Sequence, residues 1–304
     1  MIWLIWEIGL KINGVNYKEK NMENIIISDK NKYEEIIRNI SEWGFSNLHI
    51  LSDFDKTLTK EFINWEKRPS LISVLRRQNI LWEDYSKKAY ELFDYYNPIE
   101  IDPNIDIEEK KIQMTIWWEK HLDLLVHSWL KRQDIDKAIN SWIIRFREWV
   151  KDFLKKMQVE NVPVIIISAN GLWSDSNYLF LEQNNVLFDN IKVISNSFIW
   201  DENWIAVSYN KPVIHVFNKD ETVLKSFPDI YGNIVARKNV ILLWDSLGDP
   251  GMITWFDYDS LLKIWFLNDK IDELLEEYKK NYDVVIIWDW EFDFVNEIIW
   301  EIKK

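Results

Sequence analysis

Four short runs rich in Val, Ile and Leu constrain the fold of this chain more than any other feature. They lie at residues 162–167, 191–195, 240–243 and 284–287. A strand with one solvated face carries a polar residue at every second position, whereas these runs are mostly apolar. They therefore predict a parallel sheet that is covered on both faces.

Helical patterns fill much of the remaining chain. Within residues 31–43 the apolar side chains follow the i, i+3, i+4, i+7 spacing of an amphipathic helix, and a strand-like stretch follows at 48–51. No buried strand is predicted between about 64 and 150. The helices predicted in that interval and after it are 80–96, 107–129, two more within 135–157, and 269–278.

The order of these segments predicts an α/β core that is interrupted by a helical insertion. The core would comprise residues 23–63 and 150–304, the insertion 64–149, and residues 1–22 an N-terminal extension without a clear pattern. Because the insertion follows the first strand of the core, we expect it above the carboxyl ends of the strands. Open α/β sheets bind their ligands at that edge.

Charge and composition exclude several classes of function. The 304 residues are 47% apolar and 29% charged, as in a soluble globular protein, and the formal charge of −13 argues against nonspecific nucleic-acid binding. The absence of cysteine excludes disulfides and thiolate chemistry and suits a reducing cytoplasm. No run is long enough for a transmembrane helix, and the first ten residues lack the pattern of a secretory signal. We expect neither a nucleic-acid nor a membrane partner.

The tryptophan content is abnormal. The chain has 19 Trp and 7 Gly, whereas average usage predicts roughly 21 Gly. Several Trp also occupy positions typical of glycine: Trp43 lies at a helix end, Trp204 follows a turn-like string, and Trp244 lies between a strand and an acidic loop. One hypothesis is that many of these residues are glycines encoded by UGA, which some bacterial lineages read as glycine. The alternative is a Trp-rich protein.

The first candidate for chemistry is the acidic pair Asp53 and Asp55, which follows the strand-like stretch 48–51. One carboxylate can attack phosphorus and carry a covalent aspartyl-phosphate, and the other can protonate the leaving oxygen. Both can help to hold Mg²⁺, which prefers oxygen ligands. Taken alone, the pair is equally compatible with a polar turn.

Three further candidates follow along the chain. Ser168, directly after a buried run, can donate to a phosphate oxygen or cap the next helix. Lys219 can neutralise charge on a phosphoryl group or be an ordinary surface lysine. Asp245 and Asp249, four residues apart in a glycine-containing loop after a strand, are potential ligands of a hard metal or form an acidic turn.

The order of the four candidates resembles the motif order of the haloacid-dehalogenase-like phosphohydrolases. The resemblance narrows to the cytosolic 5′-nucleotidase III (pyrimidine 5′-nucleotidase) family and runs from about residue 23 to the C-terminus. The motifs that carry it are Asp53-Phe54-Asp55-Lys56-Thr57-Leu58-Thr59, Ile99-Glu100-Ile101-Asp102-Pro103, His215-Val216-Phe217-Asn218-Lys219 and Leu242-Leu243-Trp244-Asp245-Ser246-Leu247-Gly248-Asp249. The fold that it implies is a Rossmann-like parallel-sheet core with an inserted all-helical cap.

The resemblance also implies roles for individual residues. Asp53 would be the nucleophile and Asp55 the acid and then the base. Mg²⁺ would be held by Asp53, the Asp55 backbone carbonyl and Asp245, with Asp249 close behind. The phosphoryl group would be held by Ser168, the Ala169 backbone and Lys219. The contacts to the nucleotide would come from Glu100 and from an aromatic segment of the cap that contains Trp117, Trp118 and His121.

Three positions depart from the family pattern. Trp244 replaces a glycine beside the metal-binding aspartate. Ser168-Ala169-Asn170-Gly171 departs from the usual Ser-Ala-Gly start of the phosphate loop. His121 falls where the family can have a serine that helps to select the base, so the sequence leaves the preferred base open.

The sequence therefore predicts a cytoplasmic, Mg²⁺-dependent 5′-nucleotidase that cleaves nucleoside 5′-monophosphates, of the pyrimidine type, through an aspartyl-phosphate. One alternative is a phosphatase or phosphotransferase that acts on another small phosphomonoester. A second, of another class, is a non-catalytic nucleotide-binding module. The sequence leaves the oligomeric state open, and a monomer is compatible with it.

Overall fold

The computed structural model describes residues 11–12, 15–16, 23–78, 80–102, 104–140, 144–169, 173–219, 224–245 and 257–302. The strands of the described residues are β1 (Lys11–Ile12), β2 (Val15–Asn16), β3 (Ile25–Ile27), β4 (Leu48–Ser52), β5 (Phe62–Ile63), β6 (Glu66–Lys67), β7 (Val164–Ile167), β8 (Ile191–Ile194), β9 (Phe198–Trp200), β10 (Ala206–Tyr209), β11 (Asn239–Trp244), β12 (Ser260–Leu267) and β13 (Val284–Ile287). The helices are α1 (Lys30–Trp43), α2 (Leu71–Arg77), α3 (Glu83–Ile101), α4 (Ile107–His127), α5 (Arg132–Asn140), α6 (Val150–Val159), α7 (Trp173–Gln183), α8 (Pro228–Ile234), α9 (Ile271–Asn281) and α10 (Asp293–Ile302).

A seven-stranded sheet forms the centre of the molecule, in the order β3-β13-β12-β11-β4-β7-β8. All neighbouring strands are parallel except for β3, which pairs antiparallel with β13 at one edge. The predicted parallel sheet is therefore confirmed, and the four apolar runs lie in β7, β8, β11 and β13.

Both faces of the sheet are covered, as the apolar runs predicted. Successive residues of a strand point to opposite faces. Ile50 of β4 accordingly belongs to an apolar cluster that includes side chains of α1, α6 and α10. Leu51 belongs to a second cluster that includes side chains of α8 and α9.

Helix α1 confirms the predicted amphipathic helix. Its first turn is capped by Asp29, whose carboxylate accepts a hydrogen bond from the Lys32 amide at 3.1 Å. The predicted apolar stripe is buried: Tyr33, Ile36, Ile37 and Ile40. The helix ends at Gly44, which has a φ of 61° and donates its amide to the Ile40 carbonyl.

The chain between β4 and β7 is mostly helical, as predicted. It carries α2, α3, α4, α5 and α6, and its described residues add only the short hairpin β5–β6. The two linkers of this insertion pair with each other near the core. The Lys60 amide donates to the Arg145 carbonyl at 2.9 Å, and the Arg147 amide donates to the Leu58 carbonyl at 3.0 Å.

Sequence patterns missed five parts of the sheet structure among the described residues: strand β12, the edge strand β3, and the hairpins β1–β2, β5–β6 and β9–β10. Strand β12 escaped because Lys263 interrupts its apolar run. The Lys263 ammonium reaches the Asn281 carbonyl, while the backbone stays in the sheet. The other missed strands are short: β1, β2, β5 and β6 have two residues each, β3 and β9 have three, and β10 has four. None of the helices in the described part of the chain could span a membrane.

Candidate active site

The carboxyl edge of the sheet gathers four of the predicted residues. Ser52 of β4 pairs with Leu243 of β11 on one side and with Ile166 of β7 on the other. The residues that follow these three strands therefore meet at one edge. Asp53 begins there with its amide donating to the Leu243 carbonyl at 3.0 Å, and Ser168 and Asp245 end the neighbouring strands. Asp55 follows two residues after Asp53.

Lys219 joins this edge from a distant part of the chain. Its Nζ donates to Oδ2 of Asp53 at 2.7 Å, and the two residues are only 4% and 6% exposed. The ammonium also lies 4.6 Å from the centre of the Trp244 ring. A lysine that is buried against a carboxylate is not the surface lysine that the sequence left as an alternative.

Side-chain hydrogen bonds fix the segment that delivers Lys219. The Asn196 side chain binds both the amide and the carbonyl of Ile214, at 2.7 and 2.9 Å. The His215 amide donates to Asn218 Oδ1 at 2.7 Å. His215 Nε2 also lies 3.0 Å from the Thr115 hydroxyl of helix α4. The cap therefore contacts the segment that presents the lysine.

Two more carboxyl groups at this edge, those of Asp55 and Asp245, have raised pKa values. Burial, reinforced by the negative charge of Asp53, raises the pKa of Asp55 to about 7. The same two causes raise the pKa of Asp245 to about 7. Lys56 and Lys219 act in the opposite direction on both groups. Asp53, Asp55 and Asp245 therefore lie close together in a region of low solvent access. The positive charges of Lys56 and Lys219 do not fully offset the burial of Asp55 and Asp245 or the charge of Asp53.

This donor set fits a hard divalent cation. Mg²⁺ binds carboxylate and carbonyl oxygens, and its charge would favour the ionised form of Asp245. Among the described residues no three carboxylate or imidazole groups are already gathered around a common point. At Asp53 the Lys219 ammonium is the neighbouring positive charge. Asp249 lies outside the described residues, as do the other loop residues from Ser246 to Gly251.

The loop after β7, which the sequence predicts to bind phosphate, is only partly described. Ser168 is buried, and its amide donates to the Ile194 carbonyl at 2.9 Å. Ala169 follows it and is half-buried. Residues 170–172 lie outside the described part of the chain, and helix α7 begins directly after them. The described part thus places Ser168 and Ala169 at the carboxyl end of β7.

Glu100 lies near the end of helix α3. Burial raises the pKa of its carboxyl, while Lys110 and Lys56 act in the opposite direction. Lys110 also donates to the Glu100 carbonyl at 2.9 Å. The charges that act on the Glu100 carboxyl therefore include that of Lys56, the residue directly after Asp55.

The aromatic cap residues occupy different environments. Trp117 is buried and stacks on Tyr96 with ring centres 5.8 Å apart, in a small cluster with Met114 and Phe217. This contact favours the packing alternative for Trp117. Trp118 is half-buried and stacks on Trp117 at 6.2 Å, so it retains more exposed ring surface for a ligand.

His121 is a buried, neutral group. Its Nε2 lies 3.1 Å from the Tyr85 hydroxyl, and its ring is 6.1 Å from that of Trp118. Burial, together with the nearby Arg76, lowers the pKa of His121 to about 3. The imidazole therefore presents hydrogen-bonding nitrogens without a charge.

The sequence reasoning missed a second buried layer below the acidic pair. It consists of Arg147, Asn268 and Asp289, all buried. Asn268 and Asp289 follow strands β12 and β13, so the rule that singled out Asp53 and Asp245 could have found Asp289. No local pattern marks Arg147, because its partners come from segments far away in the sequence.

Sequence comparison finds a family model and relatives that match most of the chain. A sequence model described as pyrimidine 5′-nucleotidase (UMPH-1) matches residues 56–303. A relative from Gallus gallus, named 7-methylguanosine phosphate-specific 5′-nucleotidase, is 32% identical over 282 residues, which cover 92% of this chain and 96% of the relative.

Solved structures show the same fold. The crystal structure of cytosolic 5′-nucleotidase IIIB bound to cytidine superposes with a TM-score of 0.83 at 28% identity, covering 92% of this chain and 94% of that one. A haloacid-dehalogenase family hydrolase from Salmonella enterica, with a TM-score of 0.55 and 12% identity, covers 89% of this chain and 80% of that one and supports the fold alone.

Proposed function

The chain belongs to the pyrimidine 5′-nucleotidase (UMPH-1) family, and from this premise we propose that it is a Mg²⁺-dependent enzyme that converts a nucleoside 5′-monophosphate to nucleoside and phosphate through an aspartyl-phosphate. As a family member it is a phosphoric monoester hydrolase of the 5′-nucleotidase type, with a haloacid-dehalogenase-like fold. To this family-level activity the proposal adds the Mg²⁺ ion, the aspartyl-phosphate mechanism and the nucleobase of the substrate. The observation that supports it most is the buried contact between Asp53 and Lys219 beside Asp55 and Asp245.

In the first step the Asp53 carboxylate attacks phosphorus, and the bond from phosphorus to the 5′-oxygen breaks. Asp55, whose carboxyl has its pKa raised by burial, donates a proton to the departing oxygen. The products of this step are the nucleoside and an acyl phosphate on Asp53.

In the second step water attacks the phosphorus of the acyl phosphate. The Asp55 carboxylate, which lost its proton in the first step, now accepts one from the water. The bond between phosphorus and Asp53 breaks, and phosphate leaves. Lys219, the Ser168 hydroxyl and the Ala169 amide hold the phosphoryl oxygens in both steps, and their fixed positions limit the reorganisation that each step needs.

Asp53, the Asp55 carbonyl and Asp245 would hold Mg²⁺, with Asp249 as a further candidate. When it is bound, Mg²⁺ offsets the negative charge shared by these carboxylates and the substrate phosphate.

Two bases are the leading candidates. The Gallus gallus relative is named for 7-methylguanosine phosphate, and the structural relative is described with cytidine. The half-buried Trp118 offers this chain an aromatic face, and a methylated guanine carries positive charge that such a face attracts. Neutral His121 beside Tyr85 offers uncharged polar contacts. We propose 7-methylguanosine and cytidine 5′-monophosphates as substrates and a cytoplasmic location.

Phosphate release from a panel of esters tests this proposal. We expect kcat/KM for the 7-methylguanosine and cytidine monophosphates to exceed that for GMP by about 10-fold or more, because a neutral purine forfeits the cation–π attraction and lacks the fit of the smaller base. The panel includes AMP, sugar phosphates and phosphoserine, each assayed with and without Mg²⁺.

The same assay separates the alternatives. Faster turnover of a sugar phosphate than of every nucleotide would identify a phosphatase for another phosphomonoester. Transfer of phosphate to an added nucleoside would identify a phosphotransferase. Tight nucleotide binding without turnover, at any Mg²⁺ concentration, would leave a nucleotide-binding module.

A further inference from the structure

A buried arginine lies beneath the loop that carries the acidic pair. Arg147 belongs to the linker by which the chain leaves the cap, and it is 1% exposed. Its guanidinium lies 4.5 Å from the centre of the Phe266 ring. Burying a guanidinium is costly unless all of its donors find partners, so its contacts reveal what it is there to hold.

The Arg147 guanidinium makes four hydrogen bonds and one ion pair. Nε donates to the Thr57 carbonyl at 2.8 Å, and Nη2 donates to the Lys56 carbonyl at 2.5 Å. The remaining donors reach Asn268 Oδ1 at 2.9 Å, the Trp290 carbonyl at 2.6 Å and Asp289 Oδ1 at 3.0 Å. Two of the four hydrogen bonds therefore fix the peptide groups that directly follow Asp55.

Two partners of Arg147, Asn268 and Asp289, also form hydrogen bonds to the loop that follows Asp55. Asn268 Nδ2 donates to the Lys56 carbonyl at 2.9 Å, so that oxygen receives two buried hydrogen bonds. The Asp289 carboxylate accepts the amides of Glu61 and Phe62, each at 2.9 Å. Lys56 has a φ of 62°, a conformation that a non-glycine residue keeps only when its surroundings impose it. The loop from Asp55 to Phe62 is thus held from below at several points.

We infer that Arg147 is a positioning residue that sets where the Asp55 carboxyl stands relative to the leaving oxygen, acting through the Lys56 and Thr57 carbonyls. This inference rests on the proposed role of Asp55 as the proton donor. Arg147 also connects the Asp55 loop to the cap, because its backbone belongs to the paired linkers at the base of the cap.

Arg147→Lys keeps the charge but cannot reproduce the fork of donors. We expect kcat for a nucleoside 5′-monophosphate to fall about 30-fold with KM nearly unchanged, since a displacement of about 1 Å at a reacting group costs up to about 100-fold. A nucleoside 5′-S-phosphorothiolate binds through the same base and phosphate but leaves as a thiolate, which needs no proton. For this ester we expect less than about a 3-fold loss.

The two esters distinguish positioning from partial unfolding. A smaller folded fraction lowers both rates equally, so equal losses on both esters overturn the inference. Asn268→Ala removes one bond to the Lys56 carbonyl and one acceptor of Arg147 but leaves the ion pair between Arg147 and Asp289. It should show the same selective loss at smaller size, even if Arg147→Lys folds poorly. Arg145→Lys, an exposed neighbour in the same linker, is the matched control. Wild-type turnover of the oxygen ester tests the proposed function separately.

A second inference follows from backbone conformation. Among the described residues, eleven non-glycine residues have φ between 51° and 71°. Four are Asn or Asp, which tolerate this region, but five are tryptophan, a bulky residue for which it is strained. The five are Trp65, Trp129, Trp149, Trp204 and Trp288. Each is more than half exposed, so little packing offsets the strain.

Two of these tryptophans occupy motifs that are built for glycine. Asn64 and Trp65 form the two-residue turn of hairpin β5–β6, with φ of 55° and 66°, where Asn-Gly is the favoured pair. Trp65 is 97% exposed. Trp129 follows helix α4, and its amide bonds to the Val126 carbonyl while the Leu130 amide bonds to that of Leu125. These are the two bonds of the Schellman motif, whose left-handed residue is usually glycine.

We propose that glycine occupies these five positions in the protein as its own organism makes it, through UGA codons read as glycine. The gene and the native protein test this directly. We expect UGA at all five codons and glycine in the corresponding peptides by mass spectrometry. UGG codons, or tryptophan in the native peptides, would overturn it.

An independent test compares two sets of substitutions in the chain as printed. Replacing all five left-handed tryptophans with Gly should raise Tm by about 8–10 °C, because each replacement relieves left-handed strain. The control set is Trp43, Trp82 and Trp300, which are also exposed but lie in helical or negative-φ positions. Glycine there should leave Tm unchanged or lower it. A fall in Tm for the left-handed set would contradict the structural basis of the proposal.

Discussion

Asp53→Asn is expected to reduce phosphate release from a nucleoside 5′-monophosphate by at least about 10⁴-fold, because an amide cannot attack phosphorus and no other described carboxylate lies against Lys219. Nucleotide binding should persist, since Ser168, Ala169, Lys219 and the cap are intact. Steady-state phosphate release measures the first quantity, and equilibrium dialysis with cytidine 5′-monophosphate measures the second.

Asp257→Asn is a suitable control for this variant. The Asp257 side chain is 91% exposed and pairs with Lys238 at the surface, so its loss should leave the rate unchanged. If the Asp53 variant retained even a tenth of the wild-type rate, the nucleophile would have to be another group and the aspartyl-phosphate at Asp53 would be excluded.

Lys219→Met is expected to lower both turnover and stability. Turnover should fall about 10²- to 10³-fold, because the phosphoryl group loses a buried positive charge. Without Mg²⁺ the free energy of unfolding should fall by about 3 kcal/mol, because Asp53 stays buried without its 2.7 Å partner while Asp55 and Asp245 lie nearby. Kinetics and urea unfolding with and without Mg²⁺ measure the two effects.

A double-mutant cycle checks the predicted loss of stability in Lys219→Met. Because the two residues share one interaction, the losses in Asp53→Asn, Lys219→Met and the double variant should be non-additive. Lys211→Met, a change in the same segment at a side chain that is 65% exposed, should alter neither quantity. Strict additivity would mean that the contact between Asp53 and Lys219 contributes nothing to the folded state.

The residues that could be predicted from the sequence are those whose position follows from a strand end. Asp53, Ser168 and Asp245 each come directly after a buried apolar run, and parallel strands bring such positions to one edge. Lys219 follows no such run. Only the order of motifs in a known family pointed to it, and the structure shows it against Asp53.

What could not be predicted depends on contacts between distant segments. The hydrogen bonds of Arg147 join residues 90 to 143 positions apart in the chain, and no local period encodes them. Strand β12 was missed for a different reason, since the flexible stem of Lys263 carries its charge out of an otherwise apolar strand. The sequence could not distinguish Trp117 from Trp118, because only the packing shows that Trp117 is buried against Tyr96 while Trp118 is half-buried.

The cap is inserted into the core through two linkers, Leu58–Lys60 and Arg145–Arg147, which are hydrogen-bonded to each other. Because the chain leaves and returns through these two segments, the two ends of the insertion are held side by side at the core. Under the proposed function, the contacts to the base would lie in the insertion and the phosphoryl chemistry in the core. A cap transplanted at this junction would meet an unchanged set of aspartates, and Arg147, which belongs to the junction itself, would stay with the core.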